Sequence, residues 1–331
     1  MKVSALFFCI NYLFRIFASR FFNPLFLMSD SISYHIPVLL KQSIDGLAIK
    51  PDGTYVDVTF GGGGHSREIL NRLGENGRLY AFDQDADALN NTIDDPRFTL
   101  IHQNFKYLKQ YLRFYGVSEV DGVLGDFGVS SHQFDVAERG FSTRFEGALD
   151  MRMNQQSELT AQQVVNEYDE AALTRIFSLY GELKNARAIA RAIIAFRQHT
   201  LIRLGSTLQE AVRAFLPKFK ENKVLAQIYQ SIRIEVNAEM EVLESFLLQL
   251  PAVVKVGGRI SLISYHSLED RCVKRFIRDG QMEGAPEKDW YGNISVPFKK
   301  VGGLIVPDEA EITINNRARS AKLRIAERIN D

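Results

Sequence analysis

Short apolar segments alternate with amphipathic ones from about residue 54 to residue 124, and this alternation constrains the fold more than any other feature. The segments with strand-like composition lie at 54–60, 78–82, 98–102 and 120–124, and those with helical spacing lie at 65–73, 85–93 and 105–115. Strands that are separated by helices of about ten residues form a parallel sheet with helices on both faces. We therefore predict an α/β fold.

The alternation of strands and helices stops after residue 136. Residues 137–223 are almost entirely helical in pattern, a long amphipathic helix is predicted at 228–250, and 257–264 reads as a fifth strand. The simplest organisation is one α/β domain, formed by residues 31–136 and 224–331. The segment between its two parts is predicted to be a helical insertion domain.

One helix of the insertion has a recognisable start. Thr160 and Gln163 have the spacing of a capping box, in which each side chain binds the backbone N–H of the other residue. We therefore predict that a helix begins directly after Thr160.

The first thirty residues differ from the rest of the chain. They are mostly apolar and carry Lys2, Arg15 and Arg20 but no acid before Asp30. No apolar run reaches the ~20 residues needed to span a bilayer, and the segment is a poor match to a secretory signal. An acid-free organelle presequence is the functional alternative. We expect translation to start at Met28. We also expect residues 1–30 to be an extension outside the fold.

Cysteine, histidine and charge content exclude several classes of protein. Cys9 and Cys272 are the two cysteines, too few for a disulfide framework or a four-thiolate metal site, which favours the cytoplasm. The six histidines show no pairing at metal-ligand spacing, and we predict no metal. The 40 basic residues balance the 40 acidic ones, so nucleic acid could be bound only by a local basic surface.

The insertion carries such a local surface. Residues 183–209 contain no acid, and Lys184, Arg187 and Arg191 are spaced to share one helix face. Such a run is usually a solvated surface, but unbalanced charge in a neutral chain favours phosphate contact. Residues 315–324 form a second basic segment.

Four consecutive glycines, Gly61 to Gly64, follow the first predicted strand. Asp83 ends the second strand, where its carboxylate can accept hydrogen bonds from both hydroxyls of a ribose. A helix N-cap is the structural alternative for Asp83. The G-x-G-x-x-G pattern of dinucleotide sites fails, because the sixth position is Ser66 or Arg67. The pattern therefore favours S-adenosylmethionine over a dinucleotide.

Two further residues follow strands at the same edge of the sheet. Phe105 is placed to lie against an adenine ring, with core packing as its alternative, and Asp126 lies where a methyl group and its acceptor would meet. Cys272 lies in a predicted helix without a tight turn that would present a nucleophile, which disfavours carbon-5 methylation of pyrimidines. Direct transfer to nitrogen or oxygen remains, and its catalysis is mainly positioning.

Seven segments together carry a family resemblance. They are 35–40 (HIPVLL), 57–66 (DVTFGGGGHS), 126–133 (DFGVSSHQ), 138–142 (ERGFS), 149–153 (LDMRM), 264–271 (SYHSLEDR) and 316–320 (NRARS). In this order they resemble the motifs of the bacterial 16S rRNA cytosine-N4 methyltransferases, the RsmH (formerly MraW) family. The resemblance covers about residues 34–328.

The resemblance implies a class I S-adenosylmethionine-dependent methyltransferase sheet, which is Rossmann-like, with an all-helical insertion that recognises substrate. It implies methylation of the exocyclic N4 of cytosine 1402 in 16S rRNA, within the small ribosomal subunit. The implied cofactor contacts are Gly63, Gly64, His65, Asp83, Phe105, Asp126 and Gln133. We expect neither membrane association nor an obligate protein partner.

The chain departs from the family pattern at Gly125 and Phe127, where the family usually has Ala or Leu and then Leu. A glycine loosens a strand end and a phenylalanine adds bulk near the methyl donor, so altered cofactor affinity is expected. Because of these departures, an alternative function remains, that of an RNA-binding ribosome-assembly factor with weak or lost catalysis. A nicotinamide-dependent oxidoreductase is the other alternative.

The chemistry of cytosine suggests a role for Asp126. The N4 lone pair is delocalised into the ring, and an acceptor for an N4–H would help to localise it. The base must also leave its stack, which calls for aromatic or arginine partners, and residues 139–145 are where we expect them.

Overall fold

A computed structural model of the chain describes residues 37–282, 284, 290 and 296–329. The predicted extension at 1–30 lies outside these residues. Within them, one sheet contains β1 (Thr54–Asp57), β2 (Arg78–Asp83), β3 (Phe98–His102), β4 (Val120–Asp126), β5 (Val254–Ser264), β6 (Phe298–Lys300) and β7 (Lys322–Arg328).

The strand order is β3-β2-β1-β4-β5-β7-β6. Neighbours among β1 to β5 are parallel, whereas β7 is antiparallel to β5 and to β6. The carboxyl ends of β1 to β5 therefore share one edge of the sheet. The order reverses between β1 and β4, and ligands of open α/β sheets bind at such a point.

Helices lie on both faces of the sheet and between β4 and β5. They are α1 (Leu40–Leu47), α2 (Gly64–Arg72), α3 (Leu108–Phe114), α4 (Ser131–Asp135), α5 (Ala161–Glu167), α6 (Glu170–Leu179), α7 (Ala186–Arg197), α8 (Gly205–Val212), α9 (Glu221–Asn237), α10 (Glu239–Leu247), α11 (Leu250–Val253), α12 (Ser267–Asp279) and α13 (Glu309–Ile314). In the part of the chain described, no helix has both the length and the apolar composition to cross a membrane.

The prediction of a single long helix at 228–250 is wrong. It is two helices, because Ala238 between α9 and α10 has a left-handed φ of 48°. The break brings Glu239 against Arg233, whose guanidinium donates to both carboxylate oxygens at 2.8 and 2.9 Å. The helix predicted at 85–93 is likewise wrong, because it is a 3₁₀ turn at Ala86–Asn91.

The segment between β4 and β5 has a hydrophobic core of its own. Ile176, Phe177 and Ile189 are completely buried in it, and Ile232 of α9 contributes from beyond residue 223. A second core lies against the sheet. The domain boundaries predicted from the sequence stay a prediction.

Candidate active site

The glycine run forms a tight turn between β1 and α2. Gly61 and Gly63 have φ values of 50° and 74°, a region that glycine adopts at little cost. A Cβ on Gly64 would lie 2.2 Å from a carbon of Pro37, whereas a Cβ on Gly61 or Gly62 would meet no atom within 4 Å. The turn is therefore packed on one side and open on the other, where a ligand can approach the backbone.

Asp83 holds this turn to the end of β2. Its carboxylate accepts the N–H of Gly61 at 2.8 Å and that of Asp85 at 2.8 Å. Burial raises the pKa of Asp83 to about 6. Asp85 rather than Asp83 caps the following 3₁₀ turn, so the helix-cap alternative for Asp83 is wrong. Each carboxylate oxygen has a second lone pair, which leaves Asp83 able to accept ribose hydroxyls.

A second carboxylate, that of Asp126, lies at the end of β4. The Tyr265 hydroxyl donates to Oδ1 at 2.7 Å, and Nδ1 of His65 lies 3.9 Å from Oδ2. Burial, with the nearby carboxylates of Asp57 and Glu269, raises the pKa of Asp126 to about 7. The side chain keeps 22% of its surface exposed, so it can reach a ligand and exchange a proton near neutral pH.

His65 is buried beside this carboxylate. Its Nε2 lies 3.2 Å from the carbonyl oxygen of Val38. A carbonyl can only accept, so Nε2 carries a proton and Nδ1 is the nitrogen that faces Asp126. The ring thus joins the first turn of α2 to the backbone at Val38 and lies beside the end of β4.

Phe105 lies at the edge of an aromatic cluster that sequence spacing did not reveal. Its half-buried ring lies 5.9 Å from that of Phe127 and 5.3 Å from that of Phe246, between centroids. Core packing and a contact with adenine are both compatible with this position, because one part of the ring is buried and another is exposed.

Gln133 connects two loops. Its amide oxygen accepts the backbone N–H of Ser130, and its amide nitrogen donates to Asp85 at 2.6 Å. The buried Arg139 donates to the same carboxylate at 2.8 and 3.2 Å. The structure therefore places Gln133 beside the predicted cofactor site, bound to a neighbour of Asp83 rather than at the glycine turn.

Three residues of this site were missed among the predicted contacts. Asp57 is buried under the glycine turn and accepts the Ser66 hydroxyl at 2.7 Å, and Tyr265 orients Asp126. Glu269 in turn accepts the Tyr265 N–H at 2.8 Å. The sequence could have indicated these residues, since all three lie in two of the family-like segments, 57–66 and 264–271.

Glu269 also belongs to a group of possible metal ligands. Among the described residues, Glu239, His266 and Glu269 bring one ligand atom each to within 4.8 Å of one another. However, both oxygens of Glu239 already accept from the Arg233 guanidinium. A second cation there would face the half-buried Arg233, which disfavours metal binding.

The predicted base-recognition segment, 139–145, is only partly suited to its role. Arg139 and Phe141 are 5% and 4% exposed, so neither can stack on a base, and that expectation is wrong for them. Phe145 is exposed and remains a candidate. Cys272 is no nucleophile, since burial raises the pKa of its thiol to about 12.

The expectation for Lys184, Arg187 and Arg191 is also corrected. Helix α7 begins at Ala186, so Lys184 precedes it and does not share its face. Arg187 and Arg191 both donate to Glu170, at 2.7 and 3.0 Å. The acid comes from α6, outside the acid-free segment, and it neutralises part of this surface.

The basic segment 315–324 is similarly engaged within the chain. Lys322 and Arg324 of β7 both pair with Asp270, at 3.1 and 2.8 Å, and Arg317 pairs with Asp135. These cations therefore stabilise the fold around the sheet edge.

The two departures from the family pattern accommodate each other. A Cβ on Gly125 would lie 3.0 Å from the Phe127 ring and 3.2 Å from a methyl carbon of Leu262. The absence of that Cβ leaves room for the ring, which is 5% exposed. The pair thus preserves a packed strand end instead of loosening it.

An open glycine turn, a carboxylate after β2 and a carboxylate after β4, at the switch point of this strand order, define a class I S-adenosylmethionine-dependent methyltransferase. The model of the MraW methylase family matches residues 32–329. The chain belongs to this family.

Curated relatives agree with this membership over nearly their whole length. The protein called ribosomal RNA small subunit methyltransferase H from Christiangramia forsetii is 65% identical over 90% of this chain and 99% of the relative. Proteins of the same name from Flavobacterium johnsoniae and Bacteroides thetaiotaomicron are 63% and 55% identical, over 91% and 90% of this chain and 100% and 99% of theirs. The predicted fold class, enzyme class and cofactor are confirmed, and the nicotinamide-dependent alternative is set aside.

Proposed function

We propose that this methyltransferase modifies the exocyclic N4 of a cytosine in 16S rRNA of the small ribosomal subunit, namely cytosine 1402. The names of the curated relatives support the RNA and the subunit, and the resemblance of the sequence motifs supports the base and the atom. Such a substrate would place the protein in the cytoplasm.

The residues of the glycine turn fit the cofactor. S-adenosylmethionine supplies an electrophilic methyl group on a sulfonium. Gly61 and Gly62 leave the backbone accessible, Asp83 retains acceptor capacity for ribose hydroxyls, and the exposed part of Phe105 offers an apolar surface for adenine. Gly63, Gly64 and His65 would hold the methionine portion through the turn and the start of α2.

The observation that carries the proposal is the state of Asp126. A partly exposed carboxylate whose pKa is about 7 can accept a hydrogen bond from an N4–H of cytosine. Accepting it localises the nitrogen lone pair, which forms the new N–C bond while the bond from sulfur to the methyl carbon breaks. The proton that N4 loses passes to Asp126. Tyr265 keeps the carboxylate aimed at the site.

The helical insertion is proposed to recognise the RNA around the base. Phe145 at its start and the cations of α7 are its exposed candidates for this contact. The substrate's phosphates can compete with Glu170 for Arg187 and Arg191, because exposed ion pairs contribute little to stability.

The test is transfer of an isotopically labelled methyl group to small subunits from cells that lack this enzyme, followed by digestion and mass spectrometry of nucleosides. N4-methylcytidine at the expected position supports the proposal, and label at carbon 5 or at a ribose contradicts it. Asp126→Asn should lower kcat with little change in S-adenosylmethionine affinity at pH 6, where the carboxyl is largely protonated.

A further inference from the structure

The segment that follows β3, a 3₁₀ turn and helix α3, carries a basic surface that the site leaves unexplained. Lys106 lies in the 3₁₀ turn before α3, and Lys109 and Arg113 lie one helical turn apart on α3. All three are exposed and line the same cleft. Residues 96–118 contain no acid. Within the described part of the chain, none of the three cations forms an ion pair, unlike Arg187 and Arg191 in the insertion.

Aromatic side chains accompany these cations. Tyr107 and Phe114 are 40% and 79% exposed. They lie at the two ends of α3, Tyr107 between Lys106 and Lys109 and Phe114 directly after Arg113. The Lys106 ammonium lies 5.0 Å from the centroid of the Tyr107 ring. Exposed rings beside unpaired cations are the combination that binds single-stranded nucleic acid, because bases stack on the rings while phosphates meet the charges.

The surface is held in shape from a distant part of the chain. Gln249, after α10, donates to the carbonyl of Lys106 at 2.8 Å and accepts the N–H of Lys109 at 3.0 Å. These side chains, with Gln110 and Arg113, line a cleft of about 370 Å³. The buried Leu108 and Leu112 fix the opposite face of α3 against the sheet.

The position suits RNA that enters the proposed active site. Lys106 directly follows Phe105, at the same sheet edge as Asp126. The ends of β3 and β4 are separated by β2 and β1, which is about 14 Å at the usual strand spacing. A few nucleotides of extended RNA cover that distance.

We propose that Lys106, Lys109 and Arg113 bind phosphates of a single-stranded RNA segment that flanks the target base, and that Tyr107 and Phe114 stack on its bases. This inference rests on the proposed function for the identity of the RNA. It assigns a second RNA-binding surface, separate from the insertion.

The test compares the parent chain with a variant in which Lys106, Lys109 and Arg113 are replaced by Gln. A matched control replaces Lys274, Lys299 and Lys300 by Gln, which removes the same charge from exposed positions on α12 and on the opposite edge of the sheet. Filter binding to deproteinised 16S rRNA and to small subunits is measured over a range of salt concentrations.

The α3 variant should bind deproteinised rRNA roughly tenfold to a hundredfold more weakly, with a salt slope smaller by about two, and the control should bind like the parent. Tyr107→Ala with Phe114→Ala should weaken binding about fivefold or more without changing the slope. S-adenosylmethionine affinity, measured by calorimetry, should stay constant in every variant.

Equal binding by the α3 variant and the control overturns the inference. Weaker binding to subunits with unchanged binding to deproteinised rRNA also overturns it, because the surface would then contact a ribosomal protein. Binding is measured without methyl transfer, so a parent chain that binds rRNA but methylates another atom contradicts only the proposed function. A parent chain that binds no rRNA contradicts both.

Discussion

Tyr265 donates its phenolic hydrogen to Oδ1 of Asp126 over 2.7 Å, and this bond joins the end of β4 to the segment after β5. The bond stabilises the ionised carboxylate and so lowers its pKa, against the larger effect of burial. The conformation and the protonation of Asp126 therefore both depend on a residue 139 positions away in the sequence.

Methyl transfer should rise with pH through about 7, because Asp126 accepts a proton only when ionised. Tyr265→Phe removes a bond that lowers the pKa, so the midpoint of the kcat–pH profile should move to higher pH and kcat at pH 7 should fall. Tyr168→Phe is the matched control, since it removes the hydrogen bond from the hydroxyl of Tyr168, in the insertion, to Glu235 of α9. A profile unchanged by Tyr265→Phe would show that this bond does not tune the acceptor.

S-adenosylmethionine should bind more tightly as pH rises from 6 to 8, whereas S-adenosylhomocysteine should change less. The carboxyl of Asp126, with a pKa of about 7, ionises over this range and attracts the sulfonium that only the former ligand carries, whereas Asp83 is assigned to ribose hydroxyls that both ligands share. We expect the affinity for S-adenosylmethionine relative to that for S-adenosylhomocysteine to increase about threefold to tenfold, measured by calorimetry. A ratio independent of pH would remove Asp126 from the neighbourhood of the sulfur.

Asp83→Ala should weaken S-adenosylmethionine binding by about 1.5–3 kcal/mol, the scale for hydrogen bonds to a charged group. It also leaves the N–H groups of Gly61 and Asp85 without their acceptor, so the free energy of unfolding should fall by about 1–3 kcal/mol. Urea unfolding measures the second effect. Asp52→Ala, at an exposed position just before the amino end of β1, is the control for both the binding and the unfolding measurements.

Gly125→Ala should destabilise the parent chain by about 1–3 kcal/mol, because the new methyl group meets the buried Phe127 ring. In a Phe127→Leu background the same change should cost less, because the close contact that remains is with the Leu262 methyl at 3.2 Å and alanine orders a strand better than glycine does. Urea unfolding of the parent chain, the two single variants and the double variant gives the interaction energy between positions 125 and 127. Additive effects would mean that the two residues do not compensate for each other.

Local sequence patterns predicted many of the strands and helix starts, because these depend on interactions between residues that are close in the sequence. The strand at 98–102 was predicted with the bounds of β3, and the capping box of Thr160 and Gln163 is present with both bonds. The break at Ala238 has no such signal, because alanine favours a continuous helix, and the pair of Arg233 and Glu239 that spans the break is not a recognised helix-end pattern.

The candidate site was predictable in its residues at strand ends and less so in its contacts. Gly63, Asp83 and Asp126 follow strands, and parallel strands bring their ends together. Phe246 reaches Phe105 from α10, and nothing in the spacing of the two residues indicates that contact. Strands β6 and β7 were missed, since β6 is short and β7 was interpreted only through its charge.

The buried pair of Arg139 and Asp85 connects the insertion to the predicted cofactor site. Asp85 is two residues from Asp83 and donates its N–H to that carboxylate, while Arg139 lies between β4 and the helices of the insertion. We infer that a movement of the insertion would be transmitted through this pair to Asp83. Any resulting change in the affinity for one substrate would be matched by the same factor for the other, as thermodynamic linkage requires. The two substrates would then bind cooperatively.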